Sequence, residues 1–160
     1  MIRSVIAAYG RLLDILLAAS VLILVFPVTL QIFSRFTALI PSYIWTEEMA
    51  RFLFVWTIMI GAMVGVRDSA HFEVDLWPAG GKRAAAAARL IGRLGVLAMA
   101  VLFIVAGIEF TQFAWNRISE LAELPLWLIH VAWPATGATW LIFLGPQLRD
   151  DLIELFGSRS

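Results

Sequence analysis

Four long apolar runs divide this sequence, and they constrain its fold more than any other feature. They cover roughly residues 12–33, 49–66, 94–113 and 126–144. A helix needs about 20 mainly apolar residues to cross a bilayer, and each run has about that length. Backbone groups in hydrocarbon must be hydrogen-bonded within the segment, and the alternation of a barrel strand is absent, so each run is predicted to be a helix. The fold class is therefore an all-α integral membrane protein with four transmembrane helices.

The overall composition agrees with a lipid-exposed chain and removes several functional classes. Hydrophobic residues make up 61% of the sequence and charged residues 15%, whereas a soluble domain has about 45–50% and about 25%. Twelve basic residues balance twelve acidic ones, so the basic excess of a nucleic-acid binder is missing. The absence of cysteine excludes disulfide scaffolds, thiolate metal sites and cysteine nucleophiles. The loops between the runs are short, which predicts one domain over residues 1–160.

The distribution of basic residues predicts the orientation of the helices. One side of the membrane collects nine of the twelve, namely Arg3, Arg11, Arg67, Lys82, Arg83, Arg89, Arg93, Arg149 and Arg159. The other side has Arg35, Arg51 and Arg117. Because basic residues in short loops stay on the cytoplasmic side, we expect both termini and the central loop to be cytoplasmic. Trp45, Trp115 and Trp127 then lie at the outer interface.

The central loop contains an alanine-rich segment, "PAGGKRAAAAARLIGR". Alanine favours helix but is only weakly hydrophobic, and bases flank the alanine run. This composition predicts an amphipathic helix along the cytoplasmic surface that leads into the third span, with its bases facing anionic headgroups of membrane lipids.

The residues that usually carry membrane chemistry are missing from the middle of the spans. Their central thirds are uncharged, and Glu109, the deepest carboxylate, lies within about two turns of the outer end of its helix. His71 and His130 fall on opposite predicted sides of the membrane, so they cannot ligate one haem iron. His71, Glu73 and Asp75 have the spacing of a conceivable metal site, but a solvated interfacial turn is the simpler interpretation. We therefore expect an accessory subunit, with no catalytic residues, no metal site and no cofactor of its own.

The second span begins with a charged motif, "WTEEMAR". Glu47 and Glu48 lie in the first turn, where carboxylates stabilise the positive end of the helix dipole. Glu47 and Arg51 are four residues apart and are predicted to pair. These contacts account for the motif structurally, and this is the favoured interpretation. The alternative is a docking or subunit-pairing site on the predicted outer side, with Trp45, Glu47, Glu48 and Arg51 as candidates.

Two further features of the second span have both a packing and a partner interpretation. Gly61 and Gly65 have the spacing that lets another helix approach closely, and that helix belongs either to this chain or to another subunit. At the inner end, Arg67, His71 and Asp75 are predicted to fix the turn after the helix and to contact headgroups or a partner.

The region containing these motifs, "WTEEMARFLFVWTIMIGAMVGVRDSAHFEVDLWP", resembles the signature of the small membrane subunit of TRAP (tripartite ATP-independent periplasmic) transporters, the DctQ-like family. The matching positions are Trp45, Glu47, Glu48, Arg51, Phe52, Trp56, Gly61, Arg67, His71, Val74 and Asp75. A second, weaker match is "ELAELPLWLIHVAWPATG", through Pro125, Trp127 and Pro134. Phe72 departs from the family, which more often has a smaller aliphatic residue there.

The resemblance implies a multi-pass protein of the bacterial inner membrane that takes part in secondary active transport. Its partners would be a large DctM-like membrane subunit, which carries the sodium and substrate sites, and a DctP-like periplasmic solute-binding protein. The small subunit would brace the large one during sodium-coupled uptake of an organic anion. Two alternatives remain open: a structural subunit of another membrane complex, and a small dimeric four-helix multidrug exporter. The exporter type uses a glutamate in its first span, and this first span has none.

Overall fold

The structure, a computed structural model, describes residues 2–37, 45–68 and 82–156. This part of the chain consists of five helices and no sheet. They are α1 (Ile2–Phe36), α2 (Trp45–Arg67), α3 (Lys82–Phe113), α4 (Trp127–His130) and α5 (Ala132–Phe156). The short α4 and α5 are separated by Val131 alone and together form the last apolar span, so four spans are long and apolar enough to cross a membrane. The predicted fold class is confirmed. The cytoplasmic placement of the termini stays a prediction.

Three of the four spans extend by ten or more residues beyond the bounds that the apolar runs predict, in each case at the predicted inner end. The helix α1 begins at Ile2 instead of residue 12, α3 begins at Lys82 instead of residue 94, and α5 continues to Phe156 instead of ending at residue 144. Hydropathy marks where the apolar residues stop, whereas a helix continues as long as its backbone hydrogen bonds are favourable. Contacts between helices stabilise these extensions: ion pairs join those of α3 and α5, and Arg67 binds the Gly10 carbonyl of α1, as described below.

The alanine-rich segment is helical, as predicted, but it is not a separate element. Residues 82–93 are the first turns of the unbroken 32-residue helix α3. Alanine has the highest intrinsic helix propensity, and the described segment contains no proline or cap that ends the helix before the apolar run. Its position relative to the membrane surface stays a prediction.

The helices pack in a fixed neighbour order, with α1 against α2, α2 against α5, and α5 against α3. The outermost helices bury little of their apolar surface: 11% of the most apolar stretch is buried in α1 and in α3, against 33% in α2 and in the last span. The shared core lies between the helices and includes Leu13, Met63, Ala100 and Leu144. The chain thus leaves two long apolar helices exposed at its sides.

The helices α3 and α5 approach each other closely at two glycines. A Cβ atom added at Gly107 would lie 2.6 Å from Pro134 Cδ, and one added at Gly137 would lie 2.6 Å from the Ala100 carbonyl oxygen. These two glycines therefore set the α3–α5 packing. Pro134, predicted to be inside the fourth span, lies in the first turn of α5, where a missing backbone N–H costs little.

Candidate functional site

The outer end of α2 carries the charged motif, and its two glutamates have different surroundings. Glu47 pairs with Arg51 at 3.8 Å, and both side chains are about two-thirds exposed. The predicted pair is confirmed, and it is a surface pair of small energetic value. Trp45, the first residue of α2, is also exposed. Glu47, Arg51 and Trp45 are therefore accessible from outside the chain.

Glu48, in contrast, is held by the connection between α3 and α4. Its Oε2 atom accepts hydrogen bonds from the backbone N–H of Leu121, at 3.0 Å, and of Ala122, at 2.7 Å. The hydroxyl of Ser119 is a further partner of this carboxylate. Sequence reasoning missed this role, because only the fold brings a loop more than 70 residues away onto the first turn of α2.

The loop that Glu48 binds is itself ordered by backbone hydrogen bonds. Ser119 N–H donates to the Leu124 carbonyl at 2.9 Å, and Leu126 N–H donates to the Arg117 carbonyl at 2.9 Å. Glu123 has a positive φ of 53°, which closes the turn between them. Next to this loop the rings of Trp115 and Trp127 lie 5.4 Å apart, so two tryptophans predicted at the outer interface form one cluster.

Two other tryptophans join the central helices through their indole N–H groups. Trp56 Nε1 donates to the Leu128 carbonyl oxygen at 2.9 Å, and Trp140 Nε1 donates to the Ala62 carbonyl oxygen at 3.0 Å. The first bond fixes the start of the last span against α2. Trp56 belongs to the motif that carries the family resemblance, and this hydrogen bond gives it a structural role.

The small-residue spacing in α2 meets a helix of the same chain. A Cβ atom added at Gly61 would lie 3.8 Å from Leu17 Cδ1 of α1, which is ordinary van der Waals contact. This favours packing inside the chain at Gly61, although the approach is not unusually close. Gly65, one turn further, is partly buried, and its partner interpretation stays open.

At the inner end, the Arg67 guanidinium binds α1 to α2 and also holds the neighbouring Asp68. Its Nη1 donates to the Gly10 carbonyl at 2.6 Å and to Asp14 at 2.9 Å, and its Nη2 lies 2.8 Å from the other Asp14 oxygen. Its Nε and Nη2 donate to the two carboxylate oxygens of Asp68, at 2.7 and 3.0 Å. These bonds hold the pKa of the Asp68 carboxyl below its usual range. Arg67 thus fixes the end of α2 to α1. The turn after this helix, with His71 and Asp75, lies outside the described residues, so its predicted role stays a prediction.

The end of α2 receives a second support from α5. The side-chain amide of Gln147 donates to the carbonyl oxygens of Val66, at 3.2 Å, and of Arg67, at 3.3 Å. The last carbonyls of a helix have no partner within the helix, so Gln147 caps α2 from a neighbouring helix.

A third cluster at the same end binds α3 to α5. The carboxylate of Asp151 is 4% exposed and forms an ion pair with Arg93, and Arg89 Nε lies 3.5 Å from its other oxygen. Arg93 also donates to the Gln147 carbonyl at 2.6 Å. Sequence reasoning assigned Arg89 and Arg93 to membrane headgroups and did not single out Asp151. Asp150 and Asp151, which follow the last apolar run, could have indicated this cluster. If the helix continues past the run, an inward-facing carboxylate there needs a basic partner.

These clusters contain no arrangement typical of catalysis or metal binding. Among the described residues, no group of three or more histidine or acidic side chains is placed to hold a metal ion. The His130 ring bonds the Leu126 carbonyl of its own helix turn at 2.8 Å. Arg67, Arg93, Asp151 and Glu48 instead join helices or order a loop, which is a structural use of charged side chains.

Comparison with known proteins identifies the family of this chain. The sequence model of the family DctQ, described as "Tripartite ATP-independent periplasmic transporters, DctQ component", matches residues 10–153. The chain therefore belongs to the DctQ family of TRAP transporter subunits, and it is a multi-pass membrane protein of a transport system. The resemblance inferred from the motifs is confirmed.

A curated relative points to the same transporter class over a shorter stretch. The isethionate TRAP transporter permease protein DctMQ of Oleidesulfovibrio alaskensis is 31% identical over 65 residues, which cover 38% of this chain and 10% of the relative. The chain thus matches about a tenth of the length of that permease.

Proposed function

We propose that this chain is the small subunit that braces the large, DctM-like permease subunit of a TRAP transporter in the bacterial inner membrane. The complex takes up an organic anion that a DctP-like periplasmic binding protein delivers, and sodium drives the uptake at sites in the large subunit. The observation that carries the proposal is the family match over residues 10–153. The named relative is a TRAP permease for isethionate, which supports an organic anion as the substrate class.

The distribution of charge and exposed surface supports a bracing role. Charged side chains at the two ends of the bundle join α1 to α2, α3 to α5, and the outer loop to α2. The spans α1 and α3 leave most of their apolar surface outside the chain. A rigid body with apolar sides and an uncharged middle is suited to hold a partner in the bilayer, and not to conduct an ion by itself.

The alternative of a small dimeric exporter loses support from the position of Asp14. This aspartate is the carboxylate of the first span, and both of its oxygens are bound by Arg67. A carboxylate engaged in this way near the inner end of α1 does not serve as a free proton site at mid-depth. A structural subunit of another complex differs from the proposal only in its partner.

The first experiment is affinity purification of the tagged chain from its native host after gentle extraction. We expect a much larger multi-spanning protein in equal amount, together with sodium-dependent binding-protein-driven uptake when both are reconstituted. A homodimer without other subunits contradicts the proposal. A large partner of a different kind would mean that the chain is a structural subunit of another complex. Reconstituted uptake without a sodium gradient would contradict the coupling ion alone.

The docking role of the outer carboxylates is tested with single and double variants. The exposed pair makes Glu47 the better docking residue, whereas Glu48 is engaged by the loop. We expect Glu47→Gln to lower uptake by weakening the landing of the binding protein, with complex assembly unchanged. If Glu47→Gln and the double variant with Glu48→Gln leave both uptake and assembly unchanged, both carboxylates are structural only.

A further inference from the structure

One face of α3 is exposed along the whole apolar part of the helix. We call it the third-helix seam, and it consists of Gly95, Ala98, Leu102, Val105, Glu109 and Gln112, all exposed. The intervals alternate between three and four residues, which is the repeat with which one helix packs along another. No atom of the described chain lies within 4 Å of a Cβ added at Gly95. The seam is therefore open to a neighbour along its length.

The opposite face of α3 is already occupied. Ala100 is fully buried and Gly107 contacts Pro134, so this face packs on α5. The seam consequently points away from the rest of the chain. It combines small residues toward the inner end, which let another backbone approach, with polar residues toward the outer end, which hydrogen-bond across helices.

The position of Glu109 indicates that a protein partner, and not lipid alone, covers the seam. It is exposed, and none of the described residues forms a hydrogen bond or ion pair with it. It lies four residues, about 6 Å, inside the end of the span at Phe113, and its neighbours Ile108 and Phe110 are exposed and apolar. A carboxylate that faces lipid at this depth is costly, and charged residues in spans usually face a protein partner.

The charge of Glu109 also selects the kind of partner. Two copies of this chain inserted in the same orientation and packed through the seam would place Glu109 opposite Glu109. Like charges facing each other in a helix interface are destabilising, and more so at low dielectric. A different helix with a basic side chain at that depth satisfies the carboxylate and uses the same apolar repeat.

We propose that the third-helix seam is the surface on which a transmembrane helix of the large subunit packs, with a basic side chain of that helix opposite Glu109. This inference rests on the proposed function and deepens it by assigning the subunit interface to α3. It differs from the α2 motif, whose residues Glu47, Glu48 and Arg51 have partners within the chain.

The test uses two photo-cross-linking positions in the intact complex. Benzoylphenylalanine replaces Val105 in the seam or Leu22 in α1, both exposed apolar positions in the middle of a span. We expect the Val105 position to cross-link to the large subunit and the Leu22 position not to. The proposal is overturned if only the Leu22 position cross-links to the large subunit. It is also overturned if the Val105 position cross-links to a second copy of this chain or to lipid alone. The unsubstituted chain is purified in parallel. If it does not co-purify with a large subunit, the proposed function is contradicted, and not only the assignment of the seam.

Charge variants of Glu109 test the basic partner. We expect Glu109→Lys to reduce the co-purified large subunit by about tenfold or more, and Glu109→Gln to reduce it less, because an amide keeps an acceptor without the charge. Glu120→Lys, which changes an exposed glutamate of the outer loop, is the matched control and should retain the large subunit. The far-ultraviolet circular dichroism of each variant checks folding. A correctly folded Glu109→Lys that keeps the full amount of large subunit overturns the assignment.

Discussion

The two ends of this bundle use charged residues in different ways. At the predicted inner end, arginine–carboxylate pairs join whole helices: Arg67 binds Asp14 of α1, and Arg93 binds Asp151 of α5. At the outer end, Glu48 binds the backbone of the loop between α3 and α4 and, among the described residues, no second helix. The inner pairs therefore fix the helices relative to one another, whereas the outer carboxylate fixes the shape of a surface.

This difference suits a subunit that must remain rigid and still present a recognition surface. Three helices continue past their apolar runs at the inner end. Arg93 and Asp151 lie on two of these continuations, and Arg67 binds the Gly10 carbonyl on the third. At the outer end the helices extend at most four residues past their apolar runs. Exposed tryptophans and the exposed Glu47–Arg51 pair lie there. A change at the inner end should therefore affect global stability, and a change at the outer end should affect local order or docking.

The largest expected effect follows removal of the buried inner carboxylate. Asp151→Ala leaves Arg93, whose side chain is 13% exposed, without its ion-pair partner. An uncompensated buried charge typically costs about 3–5 kcal/mol, so we expect the free energy of unfolding to fall by about 3 kcal/mol. Reversible unfolding of the purified protein in mixed micelles measures this change.

The neighbouring Asp150 provides the matched control for that experiment. It is exposed on the same helix turn, and Asp150→Ala should change the free energy of unfolding by less than about 0.5 kcal/mol. Equal effects of the two substitutions would mean that the Asp151 cluster does not hold α3 to α5. The inner end would then not differ from the outer end in the way described above.

A smaller effect is expected from filling the space beside Arg67. A Cβ atom added at Gly10 would lie 2.9 Å from Arg67 Cδ, so Gly10→Ala forces the guanidinium away from α1. Overpacking of this kind typically costs about 1–3 kcal/mol. Gly145→Ala, at a helical glycine with no atom within 4 Å of the added Cβ, should be neutral or stabilising by up to about 1 kcal/mol. A Gly10→Ala protein as stable as Gly145→Ala would show that Arg67 tolerates displacement.

The sequence was sufficient to predict the spans, and the reason is physical. Length and hydropathy alone determine whether a helix can cross a bilayer, so four spans follow without any tertiary information. The Glu47–Arg51 pair was also predictable, because its partners are four residues apart on one helix. The family followed from motif residues that stand close together in the chain.

Contacts between distant residues could not be read from the sequence. Glu48 looked like a second docking carboxylate because its loop partners are more than 70 residues away. Asp151 was not singled out because its burial depends on how far α3 and α5 extend past their apolar runs. Likewise, Gly107 and Gly137 carry no spacing signal, since the close approach involves one glycine on each of two helices.

The two outer glutamates allow a sharper test of local order. Glu48→Ala removes the acceptor for the Leu121 and Ala122 backbone N–H groups, so these amides should exchange with solvent faster. Glu47→Ala removes only an exposed pair with Arg51 and should leave their exchange unchanged. Hydrogen–deuterium exchange of peptides covering residues 117–126 measures the difference. Equal exchange in both variants would mean that the loop is ordered by its own backbone bonds alone.

The smallest expected effect is the pH dependence that Asp68 contributes at the inner end. Arg67 lowers the pKa of Asp68 in the folded protein, so the carboxylate contributes stability at pH values above its unfolded pKa of about 3.9. This contribution is lost as the pH falls through the lower, folded pKa. The side chain is half exposed, and solvent screening keeps the contribution small. Wild type should therefore unfold at a slightly higher temperature than Asp68→Asn at pH 7, and the two should converge in acid. A difference that widens as the pH falls would reverse the sign of the coupling, and the pairing of Asp68 with Arg67 would then not stabilise the fold.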